Sequence, residues 1–178
     1  MPRDLVIGNG SLLVGFDAQY RLADFYFPHV GMENHSAAPF RFGVWTNGAT
    51  SWIEEDSWRK EITYLRDTLV GDVTCERADL GIRLRCHDTV DTDANVYLRK
   101  IVVRNLGDEA RTIKLFFHHD FNLYGNAIAD TGHSGRRDQR VGAVAIPPAA
   151  MVYSIVAVSR VSGHCFAVAC LVPPHGVF

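Results

Sequence analysis

The chain has 178 residues, 47% of them hydrophobic and 21% charged, which is the composition and length of one globular domain. Eighteen basic against twenty acidic residues give a formal net charge of -2. No basic cluster exceeds Arg136-Arg137, so nothing would neutralise a run of phosphates, and nucleic acid is not an expected partner.

The N-terminal MPRDLVIGNG has no apolar run behind its arginine, which argues against a secretory leader and for a cytoplasmic address. Its GNG lacks the third glycine of a dinucleotide fingerprint, and strands rather than a helix follow. Gly10 to Phe16 (GSLLVGF) is the first predicted strand.

Phe25 to His35 (FYFPHVGMENH) reads as a strand end and its turn. Phe25 and Phe27 alternate with Tyr26, Pro28 has no N–H for the ladder, and Gly31 permits a tight bend. The turn would present Tyr26, Phe27, His29, Glu33, Asn34 and His35, donors, acceptors and rings suited to sugar hydroxyls, to an apolar sugar face or to a neighbouring domain. A metal site from His29 and His35 lacks a third ligand, and Glu33 as an acid catalyst lacks a second carboxylate at a fixed separation.

Pro39 to Trp45 (PFRFGVW) is a further strand, and Thr46-Asn-Gly48 is a hairpin signal leading into Ser51-Trp-Ile53. Trp45 falls in core or on the surface depending on register. Trp58, within the charged EEDSWRK, is the better candidate for a sugar platform.

In Ile82 to Val90 (IRLRCHDTV), Ile82, Leu84, Cys86 and Val90 share one face, with Arg83, Arg85 and His87 on the other. A turn at Leu80-Gly81 would set Cys75 opposite Cys86; both read as reduced packing residues, because neither spacing nor compartment favours a bridge or a zinc site. Val96 to Asn105 and Thr112 to Phe121, rich in branched and aromatic residues, read as a hairpin joined by the turn-forming 106–110. Val73, Cys75, Ile82, Leu84, Cys86, Ile101, Val103, Ile113, Leu115 and Phe117 are the expected core.

His118-His119-Asp120 looks like a metal or triad fragment, but neighbours on a strand point to opposite faces and cannot converge on one ion. His118 and Asp120 are instead candidates for an interface. Serines lack any G-x-S-x-G context, so a serine nucleophile has no support, and no cofactor or metal is expected.

Past Asp130 the character changes: residues 141–178 carry one formal charge, Arg160. Val141 to Ser159 is nearly continuous in apolar or small residues, but Pro147-Pro148 breaks it, so a membrane span is not expected. Without alternation, this tail is expected to form short irregular strands or a loosely docked segment. The predicted fold is all-β, a large antiparallel sandwich followed by an atypical apolar tail, because short strands recur with turn signals and no amphipathic helix intervenes.

Ile7 to His35, FRFGVW, VYLRKIVVRN, and LFFHHDF with Asp130-Thr131 together resemble the N-terminal domain of bacterial and archaeal glucoamylase-like proteins of glycoside hydrolase family 15, over roughly residues 2 to 131. The resemblance implies a super-sandwich preceding an (α/α)6 barrel, and that barrel holds the acid and base that hydrolyse terminal α-glucosides with inversion. It implies that 1–131 is the sandwich, that 132–178 is an atypical tail, and that this chain, too short to include the barrel, is inactive alone. An α-glucan would be reached through a missing or separately encoded barrel; a free-standing glucan-binding module is the alternative. The tail departs from the family, and a shifted reading frame would explain it: one base along, the codons of Met151-Val152 give tryptophan.

Overall fold

The computed structural model describes residues 3–34, 40–93 and 95–118 in full, and the backbone of three strands at 144–146, 151–161 and 164–172. Among the described residues there is no helix, and the fold is all-β and antiparallel throughout. No helix there is long and apolar enough to cross a membrane.

Three strands, β1 (Leu5–Gly8), β2 (Leu13–Phe16) and β3 (Leu22–Tyr26), form a meander. A second sheet combines β4 (Arg41–Thr46) and β5 (Ala49–Trp52) with β10 (Arg111–His118) and β11 (Val144–Ile146), in the order β11-β10-β4-β5. The largest sheet takes β6 (Arg59–Tyr64), β7 (Gly71–Arg77), β8 (Ile82–Val90), β9 (Val96–Asn105), β12 (Met151–Val161) and β13 (His164–Val172), in the order β13-β12-β9-β8-β7-β6.

Period-two patterning accounts for the layers. On β8 the residues Ile82, Leu84, Cys86 and Val90 are buried while Arg83, Arg85 and His87 are not; on β9 the buried set is Tyr97, Arg99, Ile101, Val103 and Asn105. This face meets Leu5 and Ile7 of β1, Val14 and Phe16 of β2, and Phe42 and Val44 of β4 in one hydrophobic core. Phe16 and Tyr97 lie with ring centroids 6.3 Å apart, and the Arg99 guanidinium lies 4.7 Å from the Phe42 ring, so residues of all three sheets share the core. Each such large apolar side chain contributes roughly 1.5–3 kcal/mol by leaving water. Of the expected core residues, Leu115 and Phe117 are half-buried against the cluster and the others are buried.

The β4–β5 hairpin turns as its Asn-Gly pair requires, with φ of 49° at Asn47 and 82° at Gly48. Elsewhere a side chain replaces a strand. The Tyr64 hydroxyl donates to Val6 O at 2.8 Å and accepts from Val6 N–H at 2.8 Å, covering the outer edge of β1.

Three expectations are corrected. Val96–Asn105 and the strand after it are not a hairpin: β9 pairs with β8 and β12, while β10 pairs with β4 and β11 in the other sheet. Turn chemistry at 106–110 serves a crossing between sheets as well as a reversal, and the edge of β9 that a hairpin would need is occupied by β12. Cys75 pairs with Leu84 and Cys86 with Val73, so the free thiols are diagonal neighbours on one face rather than opposite. The tail forms long regular strands, β12 pairing with β9 from Met151↔Arg104 to Ser159↔Val96 and with β13 on its other side. Regular pairing is a property of the backbone and does not require the alternation that the tail lacks.

Candidate functional site

The turn after β3 is held by its own backbone. Tyr26 bridges Glu33, Phe27 N–H donates to Met32 O at 3.1 Å, and Asn34 N–H donates to Phe25 O at 2.8 Å. Gly31 has a φ of 99°, in the left-handed region where a glycine is favoured, and the Phe27–Pro28 peptide is cis. His29 and Val30 are exposed at the tip; Tyr26, Phe27 and Glu33 are half-buried on its flanks. Burial first, then the charges of Glu33 and Asp24, push the Tyr26 phenol above its ordinary value, so it remains a neutral donor. Asp24 in turn is clamped by Arg3, whose Nη2 donates to Oδ1 at 2.7 Å.

Asn34 departs from the expected role. It is only 1% exposed, and its Nδ2 donates to Phe27 O at 2.8 Å and Met32 O at 2.9 Å. The amide fixes the turn and does not face a ligand. Tyr26, Phe27, His29 and Glu33 are therefore brought to one hairpin end, while His35 lies outside the described residues.

Trp58 is corrected more sharply. It is 2% exposed, its Nε1 donates to Ser51 Oγ at 2.8 Å, and it belongs to the core, so no ring face is open for a sugar. The charged residues around it satisfy a tight turn instead. Glu55 accepts from Trp52 N–H at 3.0 Å and from Ser51 Oγ at 2.8 Å; burial, the largest single effect, pushes its carboxyl up, but these bonds and Arg77 together bring it below its ordinary value. The half-buried tryptophans are Trp45 and Trp52. Arg41 lies 4.4 Å from the Trp52 centroid and Lys114 Nζ 4.6 Å from that of Trp45. Gly43 lies between Trp52 and Phe116 in the ladder, and a Cβ there would meet Ser51 O at 2.6 Å.

His118 is half-buried at the end of β10, opposite Arg41, and its buried Nδ1 has no hydrogen-bond partner among the described residues. His119 and Asp120 lie outside the described residues. Among the described residues no group of three or more His, Cys, Asp or Glu is placed to hold a metal ion.

A second candidate surface escaped the sequence reading. The outward face of β6 to β9 encloses a concavity of about 480 Å³ lined by Arg59, Glu61, Asp72, Glu76, Arg83 and Arg104 among others. Arg83 Nε donates to Glu76 Oε2 at 2.6 Å, and Arg85 grips Asp72 with two bonds of 2.9 Å. Alternation alone marks these residues as outward; only register shows which stand side by side.

No family model matches the chain. Over 126 residues it is 27% identical to a protein of Methanocaldococcus jannaschii named an uncharacterized glycosyl hydrolase, a match covering 71% of this chain and 20% of that protein. The chain thus spans about one fifth of the length of the relative it matches.

Proposed function

We propose that this chain is the N-terminal β-sandwich portion of a glucoamylase-like, family 15 glycoside hydrolase, an accessory layer to a catalytic (α/α)6 barrel and without hydrolytic activity of its own. The observation that carries the reading is the 126-residue likeness to a protein named a glycosyl hydrolase, of which only 20% is matched, in a chain whose fold is all-β. Inverting hydrolysis needs two carboxyl groups about 6.5–9.5 Å apart with room for a water. The buried carboxylates among the described residues are otherwise engaged, Asp24 by Arg3 and Asp88 by Arg99. The end of the β3 turn, with exposed His29 and half-buried Tyr26, Phe27 and Glu33, is the part offered to the barrel or to its α-glucan, and the setting is cytoplasmic.

The test is direct. Purified chain incubated with maltose, trehalose or short dextrins should release no glucose above a blank; enzyme-like release that Glu33→Gln abolishes would overturn the reading. The gene neighbourhood should also encode a barrel.

A free-standing glucan-binding module is the second reading, favoured by one observation: Trp45 and Trp52 are only half-buried, each beside a cationic side chain. A flat tryptophan-fluorescence titration with maltooligosaccharides would end it.

A further inference from the structure

The outward face of the largest sheet contains an arrangement that strand pairing alone does not favour. Arg59, Glu76, Arg83 and Arg104 form one cross-strand row over β6, β7, β8 and β9, with Arg83 directly opposite Arg104. Directly opposed strand residues have Cα atoms about 4.5–5.5 Å apart, and like charges at that spacing repel. One carboxylate, Glu76, serves this row, and it accepts from Arg83 Nε at 2.6 Å on one side with Arg59 at 3.8 Å on the other. The two Nη groups of Arg83 carry no bond among the described residues, and the Arg104 guanidinium has no ion pair there at all. Asp72, the next carboxylate of β7, is held by Arg85, with His87 Nε2 3.2 Å away. The β8–β9 end of the concavity therefore presents two guanidinium groups with open donors, and both line the same space of about 480 Å³.

The opposite end differs in kind. Thr63, Glu61 and the outlying Arg59 of β6 line it with Thr74 and Asp72 of β7; Asp72 is taken by Arg85, and the two hydroxyls and Glu61 suit a hydroxyl-bearing body.

We propose that this concavity is a binding site for a small oxyanion, a phosphate monoester or a carboxylate carried on a polyhydroxylated body, with Arg83 and Arg104 as the anion's clamp. A guanidinium pair matches either oxyanion through parallel N–H donors, and the anion removes the repulsion between the two arginines. Arg83 is half-buried against the sheet, which strengthens its contact relative to bulk water, while Arg104 is exposed, and added salt weakens both. The site rests on the geometry of the basin and not on the proposed accessory role, so either can fail without the other.

Calorimetric titration of the full chain at low salt, with glucose 6-phosphate, glucuronate, inorganic phosphate and neutral glucose as probes, tests it. Glucose 6-phosphate or glucuronate should bind saturably and at least ten-fold more tightly than glucose, and whichever of the two binds better identifies the anion. Inorganic phosphate should compete more weakly than the charged sugar. Arg104→Gln and Arg83→Gln should each weaken binding ten-fold or more with an unchanged unfolding midpoint for Arg104→Gln, whereas Arg59→Gln, at a side chain 80% exposed, should change it less than two-fold. Absence of saturable binding, equal binding of glucose, or retention of affinity in Arg104→Gln would each overturn the assignment.

Discussion

Asp88 and Arg99 stand directly opposite each other on β8 and β9, on the inward face, with Arg99 Nε 2.6 Å from Asp88 Oδ1. The hydroxyls of Tyr20 and Tyr97 also donate to the Asp88 carboxylate, and burial pushes both phenols well above their ordinary values, so they stay protonated donors. Around the guanidinium lie the rings of Phe16, Tyr20, Phe42 and Tyr97 at 4.7 to 5.7 Å. This ties β2, β4, β8 and β9 through one charge pair. Removing one partner leaves the other charge buried alone, which costs about 3–5 kcal/mol. Asp88→Ala and Arg99→Ala should each destabilise by that order in urea, and the double variant Asp88→Ala with Arg99→Ala should be less destabilised than the sum of the singles. Additive losses would show that the two residues act separately.

Asp88 shares its parity with Ile82, Leu84, Cys86 and Val90, and Arg99 shares its parity with Ile101 and Val103, so the alternation that locates the core also flags two charged residues within it. A charge in an inward register without an obvious local partner is the available signal; its partner lies on the next strand, and only pairing supplies that. The same gap explains the false β9–β10 hairpin and the place given to Trp58. Local residue types show that a turn occurs and that a tryptophan has charged neighbours, but not which sheet the chain enters next or that Ser51 waits for the indole N–H.

Asn34 tests the turn that the sequence offers to a sugar or to a neighbouring domain. Its side chain donates to two backbone carbonyls within its own loop, and removing it takes one buried donor from each. Asn34→Ala should destabilise by about 1–3 kcal/mol in thermal or urea unfolding. An unchanged midpoint would show that the backbone bonds of the turn hold it without the Asn34 amide.

The thiols give a chemical check on the core. Burial pushes the Cys75 thiol up to about 12 and the Cys86 thiol well above its ordinary value. Only the thiolate is nucleophilic, so both should resist iodoacetamide at pH 8 in the native state and react on addition of denaturant. Peptide mass mapping after a short pulse distinguishes them from the other cysteines; native labelling at Cys86 would mean that the β7–β8 layer opens far more readily than its packing implies.

Asp72 supplies the pH dependence. Hydrogen bonds from Arg85 are the largest cause holding its carboxyl below the ordinary value, against a burial effect in the other direction, with the Arg85 and His87 charges adding to the lowering. A carboxylate with a depressed folded pKa stabilises fully above its unfolded value, near 3.9, and that contribution disappears as pH falls through the folded value. Because the Arg85 side chain is 55% exposed, solvent screening limits the effect to at most about 1 kcal/mol. The urea midpoint of the native chain should therefore exceed that of Asp72→Asn by a small margin between pH 8 and about 5, and the margin should shrink below about pH 4. Raised salt should narrow it at neutral pH as well. A margin that persists unchanged to pH 2 would mean that Asp72 stabilises β7 and β8 through neutral hydrogen bonding, and that the Arg85 ion pair contributes nothing.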